Sequence, residues 1–332
     1  MLLLNNSKEA KSPMKKILFI SLVIISAQFN VIAANSTTTK KHHKKHHKKT
    51  MIAKPGKVTA KPITSTKVAS TIPAEQINQG AINNQPRLYS YSAIALDADS
   101  GQVLVSKNPT AKLPIASITK LMTAMVVLDS GANLNDYVTI SSQDIDTLRN
   151  TYSRLSVGMQ LRRRDLLLLA LMSSENRAAY AVARTAYPGG ISVFIQKMNE
   201  KAKSLGMMHT QFYDPTGLTT SNQSTAEDLT KMVQAAFDYD VITEDTTTKG
   251  ADVVLGPRYV HHYMNSDALV RVGKFPISLS KTGFINEAGH CLVLYSKING
   301  KSIVMVFLNS AGKSGRLVDA IAVKNYIQKI NA

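Results

Sequence analysis

The chain of 332 residues has no tryptophan, only eight phenylalanines and a single cysteine, Cys291. One thiol excludes any disulfide within the chain. It leaves the redox compartment open, because many exported bacterial proteins have no disulfide at all. Acidic residues are also scarce: 22 stand against 40 Lys and Arg, for a formal charge of +18. The imbalance is local. Before Arg87 there are fourteen lysines (Lys8 to Lys67) and two acids (Glu9 and Glu75), a balance of +12. The rest is only mildly basic, which argues against a nucleic-acid-binding domain. No H-E-x-x-H sequence occurs, and His209, His261 and His262 have no carboxylate or cysteine partner at metal spacing. No metal site and no cofactor are therefore expected. What is present is an apolar fraction of 44%, suited to a soluble globular protein with length for one or two domains.

The first residues read as an export signal. Lys15 and Lys16 form a positive n-region, Ile17 to Ala27 is a short apolar run, and Val31-Ile32-Ala33-Ala34 offers small residues for cleavage. Met14 is a candidate start, and the apolar run is shorter than the roughly 20 residues needed to span a bilayer. Residues 1–34 are thus expected to be a signal peptide and the protein to be exported to the periplasm. Residues 35–85, including TTTKKHHKKHHKKT at 37–50, have few large apolar side chains and are expected to form a disordered tether. His42, His43, His46 and His47 could bind transition metals and the lysines could attract an anionic envelope polymer. A solvated spacer is the favoured reading.

From residue 86 onward the pattern is that of a folded domain. Ala93–Leu96 and Gln102–Val105 flank a turn-rich segment and predict a hairpin. Helical spacing predicts helices from near Ser117, over 162–172, 176–186, 191–205, 225–237 and 317–330. Asn299-Gly300 between two alternating runs predicts a second hairpin. Strands at both ends with helices between them imply an α/β domain of the α+β type. Its antiparallel sheet would be built from N- and C-terminal segments beside a helical lobe. Cys291 falls in a predicted strand and reads as core.

Three short sequences fall at element boundaries: Ser117-Ile118-Thr119-Lys120, Ser174-Glu175-Asn176 and Lys281-Thr282-Gly283, the last at the start of an expected strand. Each alone could be a helix cap or a turn. On a helix, residues three apart share a face, so Lys120 can reach Ser117. Ser117 near a helix N-terminus is a plausible nucleophile, with Lys120 as its base if neutral. Burial and the second cation, Lys281, would both lower the pKa of Lys120. Ser174 could relay a proton to the leaving amine, and Asn176 could hold the substrate backbone. Lys281 and Thr282 could bind its carboxyl or carbonyl group, and Gly283 would let an added strand approach closely. Asp214-Pro215-Thr216-Gly217 reads as a turn without a catalytic role.

In this order the motifs S-x-x-K, S-x-N and K-T-G resemble those of the serine penicillin-recognising enzymes. ASITKLMTAMVVLD, LMSSENRAA, DPTGL with STAEDL, and KTGFINEAG extend the likeness to the D-alanyl-D-alanine carboxypeptidase and endopeptidase family, from about Tyr89 to the C-terminus. The resemblance implies a β-lactamase/DD-peptidase-like fold over 86–332. It also implies an oxyanion hole of the Ser117 and Phe284 N–H groups, peptidoglycan peptides as substrate and β-lactams as covalent inhibitors. A class A β-lactamase would carry E-x-x-L-N between Asn176 and Lys281, and none is there. A non-enzymatic envelope binder would not need all three motifs. Only 49 residues follow Gly283, and the middle motif is SEN. Both resemble the short endopeptidases that cut D-Ala–diaminopimelate crosslinks, with D-Ala-D-Ala carboxypeptidase as the alternative.

Overall fold

The computed structural model describes residues 85–330, apart from Pro257. The expected signal peptide and tether lie outside these residues. In chain order, β1 (Ser90–Asp97), β2 (Val103–Lys107) and β3 (Leu113–Pro114) lead into a 3-10 turn, Ala116–Ile118, and helix α1 (Thr119–Asp129). Next come β4 (Tyr137–Thr139), β5 (Gln160–Arg162), α2 (Arg163–Met172), α3 (Asn176–Arg184) and α4 (Gly190–Ser204). They are followed by β6 (Gln223–Ser224), α5 (Ala226–Phe237), α6 (Asp240–Thr247), β7 (Gly250–Gly256), β8 (Tyr259–Met264) and α7 (Ala268–Val272). The chain closes with β9 (Ile277–Ile285), β10 (Gly289–Ile298), β11 (Lys301–Ser310) and α8 (Gly312–Ile330).

The main sheet is antiparallel in the order β2-β1-β11-β10-β9, so N- and C-terminal segments do build it. Its strands read as almost unbroken apolar runs because both faces are covered. Alternate residues go to opposite layers. Ala93, Ala95, Leu292, Leu294, Met305 and Phe307 pack with Ala320, Val323 and Ile327 of α8. Ile94, Leu96, Val293, Val304 and Val306 join the helical lobe. Nine of the eleven residues of α1 are buried, so it runs through the centre of that lobe, and its sequence has almost no polar face.

Two features depart from the sequence reading. Between Phe237 and Lys281 no element was expected, yet α6, the β7–β8 hairpin and α7 lie there. These pieces are short and mixed in pattern, and they are held by packing rather than propensity. The K-T-G sequence is also not at a strand start. It lies well inside β9, the edge strand of the sheet, paired on one side only. Among the described residues no helix is long and apolar enough to cross a membrane.

Candidate active site

The chain reaches Ser117 through a tight corner. Ala116 has φ +47°, a left-handed conformation costly for a residue with a Cβ, so its surroundings must impose it. Two glycines do so. A Cβ on Gly217 would stand 1.9 Å from the Ala116 carbonyl oxygen, and one on Gly283 would stand 2.9 Å from that of Ile115. The D-P-T-G turn and β9 therefore close on the nucleophile's backbone from two sides. Gly283 was expected to admit substrate; its immediate role is to admit this corner.

Lys120 projects from the first turn of α1, fully buried, and its Nζ has three oxygen neighbours. These are Ser117 Oγ at 2.8 Å, Asn176 Oδ1 at 2.7 Å and the Thr216 carbonyl at 2.7 Å. Burial lowers its pKa from 10.5 to about 7, against the upward pull of Asp214, Glu175 and Asp146. A neutral amine has two hydrogens and one lone pair. The amide oxygen and the carbonyl can only accept, so they take both hydrogens. The lone pair is then left for the one partner that can give a proton, Ser117.

Lys281 lies buried beside this group and donates to Ser174 Oγ at 3.0 Å and to the Thr282 carbonyl at 3.1 Å. Burial first, then the charges of Lys120 and Arg316, hold it well below its usual range. Burial is the first cause of the lowering at both lysines, and their mutual repulsion adds to it at Lys281.

A sequence profile of the D-alanyl-D-alanine carboxypeptidase family matches residues 79–312. The chain belongs to this family. It is accordingly a serine-type D-Ala-D-Ala peptidase, a hydrolase. It is 43% identical to a D-alanyl-D-alanine endopeptidase of Pseudomonas aeruginosa over 265 residues, 80% of this chain and 85% of the relative. It is likewise 43% identical to one of Escherichia coli, over 74% of this chain and 79% of that protein. Among solved structures it resembles the Streptomyces K15 DD-transpeptidase, with a TM-score of 0.68 and 30% identity over 73% of this chain and 98% of the other. The fold is thus the β-lactamase-like one expected from the sequence.

The remaining residues of this D-Ala-D-Ala peptidase site can be placed one by one. Ser174 sits at the α2–α3 corner with φ +63°, a second strained residue. Asn176 is the first residue of α3, and both ends of its amide are engaged: Oδ1 by Lys120, and Nδ2 donating to Thr151 Oγ1 at 3.1 Å. Its Oδ1 orients the base, and one Nδ2 hydrogen is not used by these two bonds, so the expected contact with a substrate backbone is compatible with this arrangement. Thr282 Oγ1 is 2.7 Å from Ser266 Oγ. Phe284 is exposed on the edge strand, with its ring stacked on His290 at 4.4 Å.

Several contributors escaped the sequence reading. Asp214 Oδ1 accepts from the backbone N–H groups of Thr216 and Gly217, at 2.5 and 2.7 Å, and so shapes the turn whose Thr216 carbonyl holds Lys120. The D-P-T-G pattern was visible; that its carbonyl faces Lys120, 96 residues away, was not. Arg316 of α8 donates to His290 Nδ1 at 2.8 Å, and its buried Nε has no hydrogen-bond partner among the described residues. Cys291 is buried, with its thiol pushed up to about 11 by burial, as a core residue would be. His262 has one carboxylate neighbour that linear spacing did not reveal. Asp252 lies opposite it across β7–β8, 2.7 Å from Nδ1, a register that linear spacing hides. Among the described residues no group of three His, Cys, Asp or Glu could hold a metal ion.

Proposed function

We propose that this chain is a serine DD-endopeptidase that cleaves D-Ala–diaminopimelate crosslinks of peptidoglycan through a Ser117 acyl-enzyme. The observation that carries the reading is the 2.8 Å contact of buried Lys120 Nζ with Ser117 Oγ, while the same nitrogen is held by the Asn176 amide oxygen and the Thr216 carbonyl. The two endopeptidases at 43% identity support the choice over carboxypeptidase. Ser117 Oγ gives its proton to Lys120 Nζ and bonds to the D-Ala carbonyl carbon. The oxyanion is held by the backbone N–H groups of Ser117 and Phe284, each such donor being worth about two to three orders of magnitude in rate. The C–N bond then breaks, and Ser174, held by Lys281, relays a proton to the leaving nitrogen. Water hydrolyses the ester in a second round. The leaving residue carries a free carboxylate. Lys281, Thr282 and Arg316 are the groups to receive it, and its arrival would restore the charge that burial takes from Lys281. β-Lactams should acylate the same oxygen and leave slowly. Residues 1–34 would direct export to the periplasm, 35–85 would tether the enzyme and attract anionic wall polymer, and 86–332 would form the catalytic domain.

Mass spectrometry after penicillin treatment should place the adduct on Ser117, and purified crosslinked muropeptide dimers should be cut to monomers. Release of terminal D-alanine with the dimers intact would favour the carboxypeptidase; an adduct elsewhere would refute the site.

A further inference from the structure

A peptide laid antiparallel along the free edge of β9, with its leaving-group carboxylate at Lys281 and Thr282, must run from there past Phe284 toward the β9–β10 turn. Each residue of an extended strand covers about 3.3 Å, so the residue before the scissile D-Ala arrives near the end of that turn. One ion pair is anchored on this turn. Arg149, in the loop between α1 and α2, reaches over to Glu287 of the turn, Nη2 to Oε2 at 2.9 Å, while its Nε donates to the Leu218 carbonyl at 2.5 Å. The pair joins the loop between β4 and β5 to the β9–β10 turn. Neither end is deeply buried, with side-chain exposures of 22% for Arg149 and 49% for Glu287, so an incoming ligand can exchange with either partner at small cost.

We propose that Arg149 and Glu287 form the specificity site for the third residue of the acyl-side stem peptide, reading a side chain that ends in a free ammonium and carboxylate. This rests on the reading of the cleft as a peptidoglycan peptidase site. The chemistry is that of partner exchange. A zwitterionic amino-acid terminus offers a carboxylate to the guanidinium and an ammonium to Glu287, replacing one ion pair by two. A lysine side chain offers only the ammonium and would strip Arg149 of its anion. The position also connects to the base. Asp146 accepts from the Arg149 N–H at 3.0 Å and the Thr151 N–H at 2.9 Å, and Thr151 Oγ1 receives the Asn176 amide that holds Lys120.

The test uses the full chain and two crosslinked peptide dimers differing only in the third residue of the acyl strand, diaminopimelate or lysine. Wild type should show a kcat/KM ratio of roughly fivefold in favour of diaminopimelate, and Glu287→Gln and Arg149→Gln should each bring that ratio close to one. Arg149→Gln could disturb the loop that carries Thr151; Glu287→Gln, half-exposed in a turn, reads recognition without touching it. A ratio near one in wild type, or an unchanged ratio in both variants, overturns the proposal. So does a parallel fall of both substrates, which would make the pair only a strut. If wild type binds no penicillin at Ser117, the parent reading falls too, which separates the two failures.

Discussion

Lys120 and Asp319 lie on opposite faces of the same sheet, each buried and each with three hydrogen-bond partners, yet they do opposite work. Asp319 Oδ1 accepts from the Tyr89 N–H at 2.8 Å, and Oδ2 accepts from the Ser90 N–H at 2.8 Å and Ser90 Oγ at 2.6 Å. All three partners are donors, matched to a carboxylate, and together they pin the start of β1 to α8. At Lys120 two partners can only accept, and the third, Ser117, has a proton to give. Burial raises the Asp319 carboxyl and lowers the Lys120 amine, in both cases by disfavouring charge. What separates a structural buried charge from a reactive one is the chemistry of its partners.

Four experiments break or sharpen that contrast. Lys120→Ala should cut the rate of penicillin acylation by at least about a thousandfold at neutral pH, as should Ser117→Ala, because the proton then has no acceptor or the carbonyl no nucleophile. Unimpaired labelling of either variant would remove the pair from the mechanism. Gly217→Ala leaves every catalytic side chain in place but drives a methyl into the Ala116 carbonyl at 1.9 Å. Misplacing the nucleophile by a fraction of an ångström should cost roughly a hundredfold in acylation, with circular dichroism close to wild type. Asp319→Ala should do the reverse. It orphans buried donors at the β1 end, so stability should fall by about 3 kcal/mol, roughly 10 °C in Tm, with acylation of the folded fraction retained.

The smallest effect is the pH dependence. The acylation rate should rise as pH passes through about 7, where Lys120 loses its proton. The stability linkage has a definite sign. Between about 7 and 10.5 the unfolded lysine holds a proton that the folded one has released, so unfolding takes up protons and stability increases with pH across that window. Lys281, also depressed, adds in the same direction. Urea denaturation at pH 7 and pH 9 checks this, and Lys120→Met should flatten the slope. A slope in wild type no steeper than in Lys120→Met would mean that the buried amine stays charged.

The periodic elements were legible from the chain. The hairpin around Asn299-Gly300 and the helices at 163–172, 176–184, 190–204 and 226–237 follow from spacing and turn chemistry with boundaries shifted by a residue or two. The segment from Asp240 to Val272 was not, since α6, β7, β8 and α7 depend on what they pack against. At the site, the three motifs were readable, whereas the engagement of Asn176 by Thr151 and of Lys120 by Thr216 was not.

The amino-acid sequence by itself determined which reactive groups this protein has, and the alternation and helical spacing that build a two-layered sheet with an apolar central helix. Only the tertiary structure decided that Lys120 sits buried against the Asn176 and Thr216 oxygens, that Gly217 and Gly283 bend the chain at Ser117, and that Arg149 meets Glu287 of the β9–β10 turn. The physical reason is range. Periodicity and turn preference act over a few residues, but desolvation and hydrogen-bond geometry depend on groups brought together from distant parts of the chain.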